Sequence, residues 1–228
     1  MTLPTNLHTL SHAEIKKFFK QNFPVLGRGT GRIVYDLNDG TVAKVAINDW
    51  GRQQLYVEND GWFSGHGYEE VFNAPIYSPY DTNFLFATYK KADTDDFHKK
   101  FKAFAGISFK KFKELTFDSV SYHGNVDVMQ VNFANKLCAF SHDNDYDSEE
   151  SSYGLNQWAR ENTTKEFGEW CDTFGDALAS YTALIIGDFR TKTSYGFVEG
   201  KLKVIDFGAT YQDFNRWIKD KKGFNFYD

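Results

Sequence analysis

The most constraining feature of this chain is a single lysine within an apolar run that has the pattern of a β-strand. Lys44 lies in "TVAKVAI", between Val42 and Val45, and follows a Gly-rich segment, "LGRGTGRIVY". Burying an ammonium group inside a sheet is costly unless a carboxylate pairs with it. Glu58, 14 residues further along, is the natural partner, and the alternative is an edge-strand lysine that points to water.

The residues on both sides of Lys44 predict a small antiparallel sheet with one helix before it and one after it. Residues 12–23 and 52–63 have the apolar spacing of helices, and the second of these carries Glu58. Between them, residues 23–47 contain apolar runs joined by a Gly-rich turn and by Asp39-Gly40, a strong hairpin signal. We therefore expect three antiparallel strands there, and residues 69–80 and 83–90 resemble two more strands.

After residue 90 the pattern becomes mostly helical. A stripe of apolar side chains from Trp170 to Ile185 predicts a buried helix that leads to Asp188. Residues 141–154 form an acidic, polar break that we expect to be a solvated loop. Two hairpin-like runs follow, "TSYGFVEG" and "KLKVIDFG". The fold class expected is α+β, with a small antiparallel sheet lobe at 1–88 and a mainly helical lobe at 89–228.

Composition excludes some classes of function. The net charge is −5 for 228 residues, so non-specific nucleic-acid binding is not expected. No segment approaches the length of apolar chain that spans a membrane, and the N-terminus has no apolar signal region. Two scattered cysteines, Cys138 and Cys171, favour a reducing compartment, and we expect a cytoplasmic protein.

Three further features could form a phosphate site. Glycines at 27, 29 and 31 would allow a close backbone approach to a polyphosphate. The alternative is that Gly27, Gly29 and Gly31 only supply positive φ angles to a hairpin. Asp188 precedes the cations Arg190 and Lys192 and could orient an acceptor hydroxyl group. Asp206 follows "LKVI" and could bind Mg²⁺, although either aspartate could instead belong to a turn or a helix cap.

Taken in order, these motifs resemble the protein-kinase-like fold. The matches are "GRGTGRIVY", Val-Ala-Lys44, Glu58, "GDFR" around Asp188 and "IDFG" around Asp206, and the two aspartates are 18 residues apart, as is typical of that family. The chain looks most similar to compact kinase-like proteins of bacteriophages. The resemblance implies a bilobal fold, with ATP held by the glycine loop, Lys44 and Glu58, and Mg²⁺ (or Mn²⁺) held by Asp206. It also implies that Asp188, Lys44 and Arg190 act in catalysis.

The departures from the family pattern keep several alternatives open. Arg32 stands where the third loop glycine is usual, and Gly187 replaces the Arg of a His-Arg-Asp motif, which resembles the aminoglycoside-phosphotransferase branch. Thr193, followed by Ser194, stands where the second metal ligand is usually Asn, and a hydroxyl group is a poorer Mg²⁺ ligand. The leading expectation is a kinase that phosphorylates protein Ser/Thr, with a host-cell protein as substrate or partner. The alternatives are a small-molecule kinase, an inactive pseudokinase that binds a partner, and an unrelated α+β domain.

Overall fold

The computed structural model describes residues 3–4, 6–59, 67–78, 84–117, 126–143, 150–181, 184 and 186–208. These residues divide into two compact units. The first takes the described residues of Met1–Gly61, Asn73–Ala92 and Phe207–Asp228, and the second takes those of Trp62–Phe72 and Asp93–Asp206. The expected boundary at residue 88 falls inside a strand of the first unit, Phe86–Lys90.

The first unit contains a four-stranded antiparallel sheet in the order β1-β2-β3-β4. Its strands and two helices are α1 (His12–Asn22), β1 (Val25–Arg28), β2 (Arg32–Asp36), β3 (Thr41–Ala46), α2 (Asp49–Glu58) and β4 (Phe86–Lys90). This confirms the α+β class, the three strands between 23 and 47, and the hairpin at Gly40, whose φ of 84° is the left-handed conformation that glycine tolerates.

Two details of this unit differ from expectation. Helix α2 begins at Asp49, three residues early, because the Asn48 side chain accepts the Gly51 N–H and caps the first turn. The strand expected at 69–80 is wrong. Tyr68–Glu70 is a 3-10 turn, and among the described residues of that range only single bridges form, at Phe72 and Tyr77. Pro75 explains part of this, since proline lacks the N–H that a strand ladder needs.

The two faces of the sheet pack against different helices. Ala43 and Val45 of β3 join a core with Ile15 and Phe19 of α1. Val42 and Ala46 on the opposite face join a second core with Leu55, Ala87 and Tyr89. Because side chains alternate along a strand, Lys44 shares the face of Val42 and Ala46, toward α2. The sheet therefore aims Lys44 at the helix that carries Glu58.

The second unit is mainly helical with one hairpin. Its helices and strands are α3 (Phe97–Ala105), α4 (Phe109–Thr116), α5 (Val126–Cys138), α6 (Glu150–Asn162), α7 (Lys165–Ser180), β5 (Tyr195–Val198) and β6 (Lys201–Val204). Aromatic rings in edge-to-face and tilted contact fill its core, notably Phe101, Phe109, Phe112, Phe140, Phe167, Trp170, Phe174 and Tyr195. None of the helices in the described part of the chain is both long enough and apolar enough to span a bilayer.

Two expectations for this unit are corrected. The helix expected to reach Ile185 ends at Ser180, where Tyr181 turns to an extended conformation, and Ile185 lies outside the described residues. The loop expected at 141–154 is helical from Glu150 onward, while 144–149 lie outside the described residues. The hairpin of β5 and β6 is confirmed, with Val198 paired to Lys201.

The hairpin turn offers a test of local turn chemistry. Glu199 and Gly200 both have positive φ angles, 52° and 83°, as a two-residue type I′ turn requires. Asn tolerates this conformation better than Glu. Glu199→Asn is therefore expected to raise the free energy of unfolding of the second unit by about 0.5 kcal/mol. Gly200→Ala should lower it by about 1 kcal/mol, and urea unfolding of both variants measures the difference.

Candidate functional site

Lys44 and Glu58 form a buried ion pair. Lys44 Nζ lies 2.7 Å from Glu58 Oε2, and the two residues are 7% and 0% exposed. Lys44 stands in β3, which pairs on both sides, opposite Val34 and Ala87. The alternative of an edge-strand lysine that points to water is therefore wrong.

Tyr89 completes the surroundings of this pair. Its hydroxyl group donates to Glu58 Oε2 at 2.7 Å, and its ring lies 4.3 Å below Lys44 Nζ. An aromatic face attracts an ammonium group, so Tyr89 supports both partners. Sequence reasoning missed this residue, although the alternation of β4 that places Ala87 and Tyr89 on one face could have indicated it.

A second cation shares the carboxylate. Arg32 Nη1 lies 2.8 Å from Glu58 Oε1, and Arg32 is 6% exposed. Burial raises the pKa of the Glu58 carboxyl group, but the charges of Arg32 and Lys44 outweigh burial and lower it from the ordinary 4.5 to about 2. Glu58 is therefore ionised at neutral pH. The sequence pattern marked Arg32 only as a departure from a glycine position.

The three loop glycines have different surroundings. None of them has a positive φ, so the alternative that they only supply such angles is wrong. Gly31 packs on helix α2, since a Cβ there would lie 2.6 Å from Gln54 Oε1 and 2.9 Å from Gly51 Cα. A Cβ at Gly27 would meet nothing within 4 Å, and one at Gly29 would lie 3.9 Å from the Arg32 carbonyl oxygen.

In the glycine turn (residues 29–32), some backbone N–H and carbonyl groups make hydrogen bonds with other residues that the structure describes, and two N–H groups do not. The Gly29 N–H donates to the Arg32 carbonyl oxygen at 2.9 Å, and the Gly31 carbonyl oxygen accepts the Ile47 N–H at 2.8 Å. Within the described part of the chain, no hydrogen-bond acceptor faces the N–H of Thr30 or Gly31. These two amides, beside the open Gly27, fit the approach of an anionic ligand.

Phe207 and Gly208 also pack on α2. A Cβ at Gly208 would lie 2.1 Å from the Gln54 carbonyl oxygen and 2.8 Å from Glu58 Cγ, so only glycine fits there. Phe207 is buried, and its N–H lies 3.5 Å from Glu58 Oε1. The segment that follows Asp206 in the chain therefore lies against the Glu58 turn of the helix.

In the second unit, Asp188 lies in a short 3-10 turn, Ile186–Arg190. Phe189 anchors this turn, because its buried ring contacts Phe174 at 5.3 Å and its carbonyl oxygen accepts the Tyr195 hydroxyl group at 2.8 Å. Asp188 is half-buried and Arg190 is exposed. The two candidate catalytic groups thus flank one fixed aromatic side chain.

Ser194 links the Asp188 turn to the end of β6. Its hydroxyl group donates to the Asp188 carbonyl oxygen, and its own carbonyl oxygen accepts the Ile205 N–H at 2.8 Å. Thr193 is exposed, with its hydroxyl group 2.8 Å from that of Thr191. Asp206, directly after Ile205, is exposed. Among the described residues, no group of three His, Cys, Asp or Glu side chains could hold a metal, and the assignment of Asp206, Thr193 and Ser194 as ligands stays a prediction.

Comparison with known proteins identifies no family. No family model matches the chain, and no curated protein matches it. Among solved structures, the chain is similar to that titled "Structure of the streptomycin-ATP-APH(2″)-IIa ternary complex". The identity is 18%, the match covers 91% of this chain and 72% of that one, and the TM-score is 0.36. The interpretation of the site therefore depends on the contacts described above.

Proposed function

We propose that this protein is an ATP- and Mg²⁺-dependent phosphotransferase with a protein-kinase-like active site. The observation that carries the proposal is the buried Lys44–Glu58 pair at 2.7 Å, in a paired strand that follows a glycine turn with two available amides. A cation held in this way is suited to binding the α- and β-phosphates of a nucleotide.

The charged candidate residues have separate roles in this proposal. Lys44, oriented by Glu58, binds the phosphates, and the amides of Thr30 and Gly31 add hydrogen bonds to them. Asp206 offers an exposed carboxylate for Mg²⁺, which would neutralise phosphate charge. Asp188 orients the acceptor hydroxyl group, and Arg190 adds positive charge beside it.

The acceptor proposed is a protein Ser or Thr in a host cell. Transfer of the γ-phosphoryl group of labelled ATP, to the protein itself and to a bacterial lysate, tests the activity and its acceptor together. Label on lysate proteins would support a protein acceptor, and label only on compounds of low mass would support a small-molecule acceptor.

Three variants test the proposed active-site residues: Lys44→Met, Asp188→Asn and Asp206→Ala. Each is expected to lower transfer by at least about 100-fold, because each removes a group that positions phosphate, acceptor or metal. Lys20→Met, which changes an exposed lysine of α1, is the matched control and should retain full transfer. Equal activity in Lys44→Met and Lys20→Met would contradict the proposal.

A second candidate is a binding module that holds nucleotide or a partner without turnover. The hydroxyl groups of Thr193 and Ser194, which stand at the usual place of a second metal ligand, already contact Thr191 and the Asp188 carbonyl oxygen. A folded protein that MgATP stabilises against heat, but that transfers no label, would favour this candidate.

The glycine turn provides a prediction that separates binding from folding. Gly27→Ala should leave the free energy of unfolding unchanged to within about 0.5 kcal/mol, since nothing lies within 4 Å of the added methyl group. The same methyl group would hinder the approach of phosphate and weaken MgATP binding. Gly31→Ala should instead cost about 1–3 kcal/mol of stability, because Gly51 and Gln54 block the new atom. Calorimetric titration measures the affinity for MgATP, and urea unfolding measures the free energy of unfolding. Unchanged affinity in Gly27→Ala would show that this residue is not part of the nucleotide site.

A further inference from the structure

Arg32 is the residue at which the glycine turn ends and β2 begins. Its carbonyl oxygen accepts the Gly29 N–H at 2.9 Å, so its backbone closes the turn. Its buried side chain reaches helix α2 and places Nη1 2.8 Å from Glu58 Oε1. One residue therefore contacts both the turn and the helix carboxylate.

The two oxygens of Glu58 are divided between two cations. Oε1 faces Arg32 and the Phe207 N–H, while Oε2 accepts hydrogen bonds from Lys44 and Tyr89, each at 2.7 Å. A guanidinium group keeps its charge and offers a planar set of donors, so it can fix the rotation of a carboxylate better than an ammonium group can. Rotation of the Glu58 carboxylate would break the contact with Arg32.

Other contacts fasten the same turn to the start of α2. Asn48 Nδ2 donates to the Thr30 carbonyl oxygen at 3.0 Å, and Gly31 packs directly on Gly51. The Asn48 side-chain oxygen also caps α2 through the Gly51 N–H. The turn and helix thus share contacts at both ends of α2, since Arg32 reaches the last residue of the helix.

We infer that Arg32 is a positioning residue of the nucleotide site: it fixes the Glu58 carboxylate, so that Lys44 is held toward the phosphates, and it fastens the glycine turn to α2. This inference rests on the proposed function. Without the guanidinium group, Oε1 keeps, among the described residues, only a long contact of 3.5 Å with the Phe207 nitrogen, so both oxygens of Glu58 can turn to Lys44 and draw its ammonium group toward the helix. Arg32 thus acts on the nucleotide through Lys44 and does not need to touch it.

The test is a double-mutant cycle between Arg32 and Lys44. A fluorescent ATP analogue with Mg²⁺ is titrated into wild type, Arg32→Gln, Lys44→Met and the double variant. Arg32→Gln is expected to weaken binding by roughly tenfold, because one of the two charges that hold the Glu58 carboxylate is lost. In the Lys44→Met background it should cause no further weakening, because the lysine through which it acts is gone.

Ile15→Ala is the control for lost stability. Ile15 is fully buried in the core on the α1 face of the sheet, so its truncation destabilises the same unit without changing the pair. Its affinity should stay within about twofold of wild type. If Lys44→Met binds too weakly to measure, the affinity of Arg32→Gln is compared with that of Ile15→Ala. Weaker binding in Arg32→Gln alone would support the inference, and equal affinities would contradict it.

Two results would overturn the inference. One is wild-type affinity in Arg32→Gln, and the other is an equal weakening of binding by Arg32→Gln in the wild-type protein and in Lys44→Met. If Arg32→Gln does not fold, Arg32→Lys replaces it in the cycle, since it keeps the charge and loses the planar donors. Failure of the wild type to bind MgATP or to transfer phosphate would instead contradict the proposed function, which is a separate result.

Discussion

Replacement of Glu58 by glutamine is expected to lower the free energy of unfolding of the first unit by about 3–5 kcal/mol. The substitution keeps the shape of the side chain but leaves Arg32 and Lys44 buried without their anion. Hydrogen exchange of the amides in β3 and α2 measures the loss within this unit. Glu70→Gln is the matched control, because its ion pair with Lys201 at 2.8 Å is well exposed and should contribute little.

We expect the same substitution to change how the free energy of unfolding depends on pH. The pKa of Glu58 is about 2 in the folded protein and 4.5 ordinarily, so the unfolded chain binds this proton more tightly. The stabilisation, about 3 kcal/mol, is therefore present above pH 4.5 and is lost as the pH falls toward 2. Among the described residues, the charged and titratable side chains that face the carboxylate are Arg32, Lys44 and Tyr89. Equal pH dependence in wild type and Glu58→Gln would contradict this origin of the shift.

Local patterns in the sequence were sufficient to predict much of the first unit. Asp39-Gly40 indicated the hairpin that joins β2 to β3, and the apolar run around Lys44 indicated a strand that buries this lysine. The spacing along α2 then made Glu58 the partner. These inferences succeeded because each depended on the geometry of one strand, one turn or one helix, and the cost of a buried ammonium group supplied the remaining link.

The contacts that the sequence did not indicate join segments that are distant along the chain. Gly31 packs on Gly51, and Gly208 packs on Gln54, because two backbones approach more closely than any side chain allows. Such distances depend on tertiary packing and leave no periodic signal. Arg32 was missed for a related reason: a residue at a turn was compared with a glycine pattern, while its side chain contacts a helix 26 positions further on.

The second large effect is expected at Gly208. In Gly208→Ala, the new Cβ would lie 2.1 Å from the Gln54 carbonyl oxygen and 2.8 Å from its carbon, both backbone atoms of a helix. Neither can move without disturbing α2, so the substitution should cost about 3 kcal/mol or displace Phe207 and Gly208 from the helix. Hydrogen exchange of α2 and the proteolytic sensitivity of the chain near residue 207 distinguish these two outcomes.

The matched control for this variant is the same substitution at Gly154, an exposed position of helix α6. Gly154→Ala meets nothing within 4 Å and should stabilise the protein by up to about 1 kcal/mol, since alanine favours helices. If Gly208→Ala folds with an undisturbed α2 but loses phosphoryl transfer, then the packing of Gly208 holds Asp206, two residues before it, in its working position. If transfer persists while Phe207 is displaced, Asp206 cannot owe its position to this contact, and its proposed role as metal ligand must depend on β6 alone.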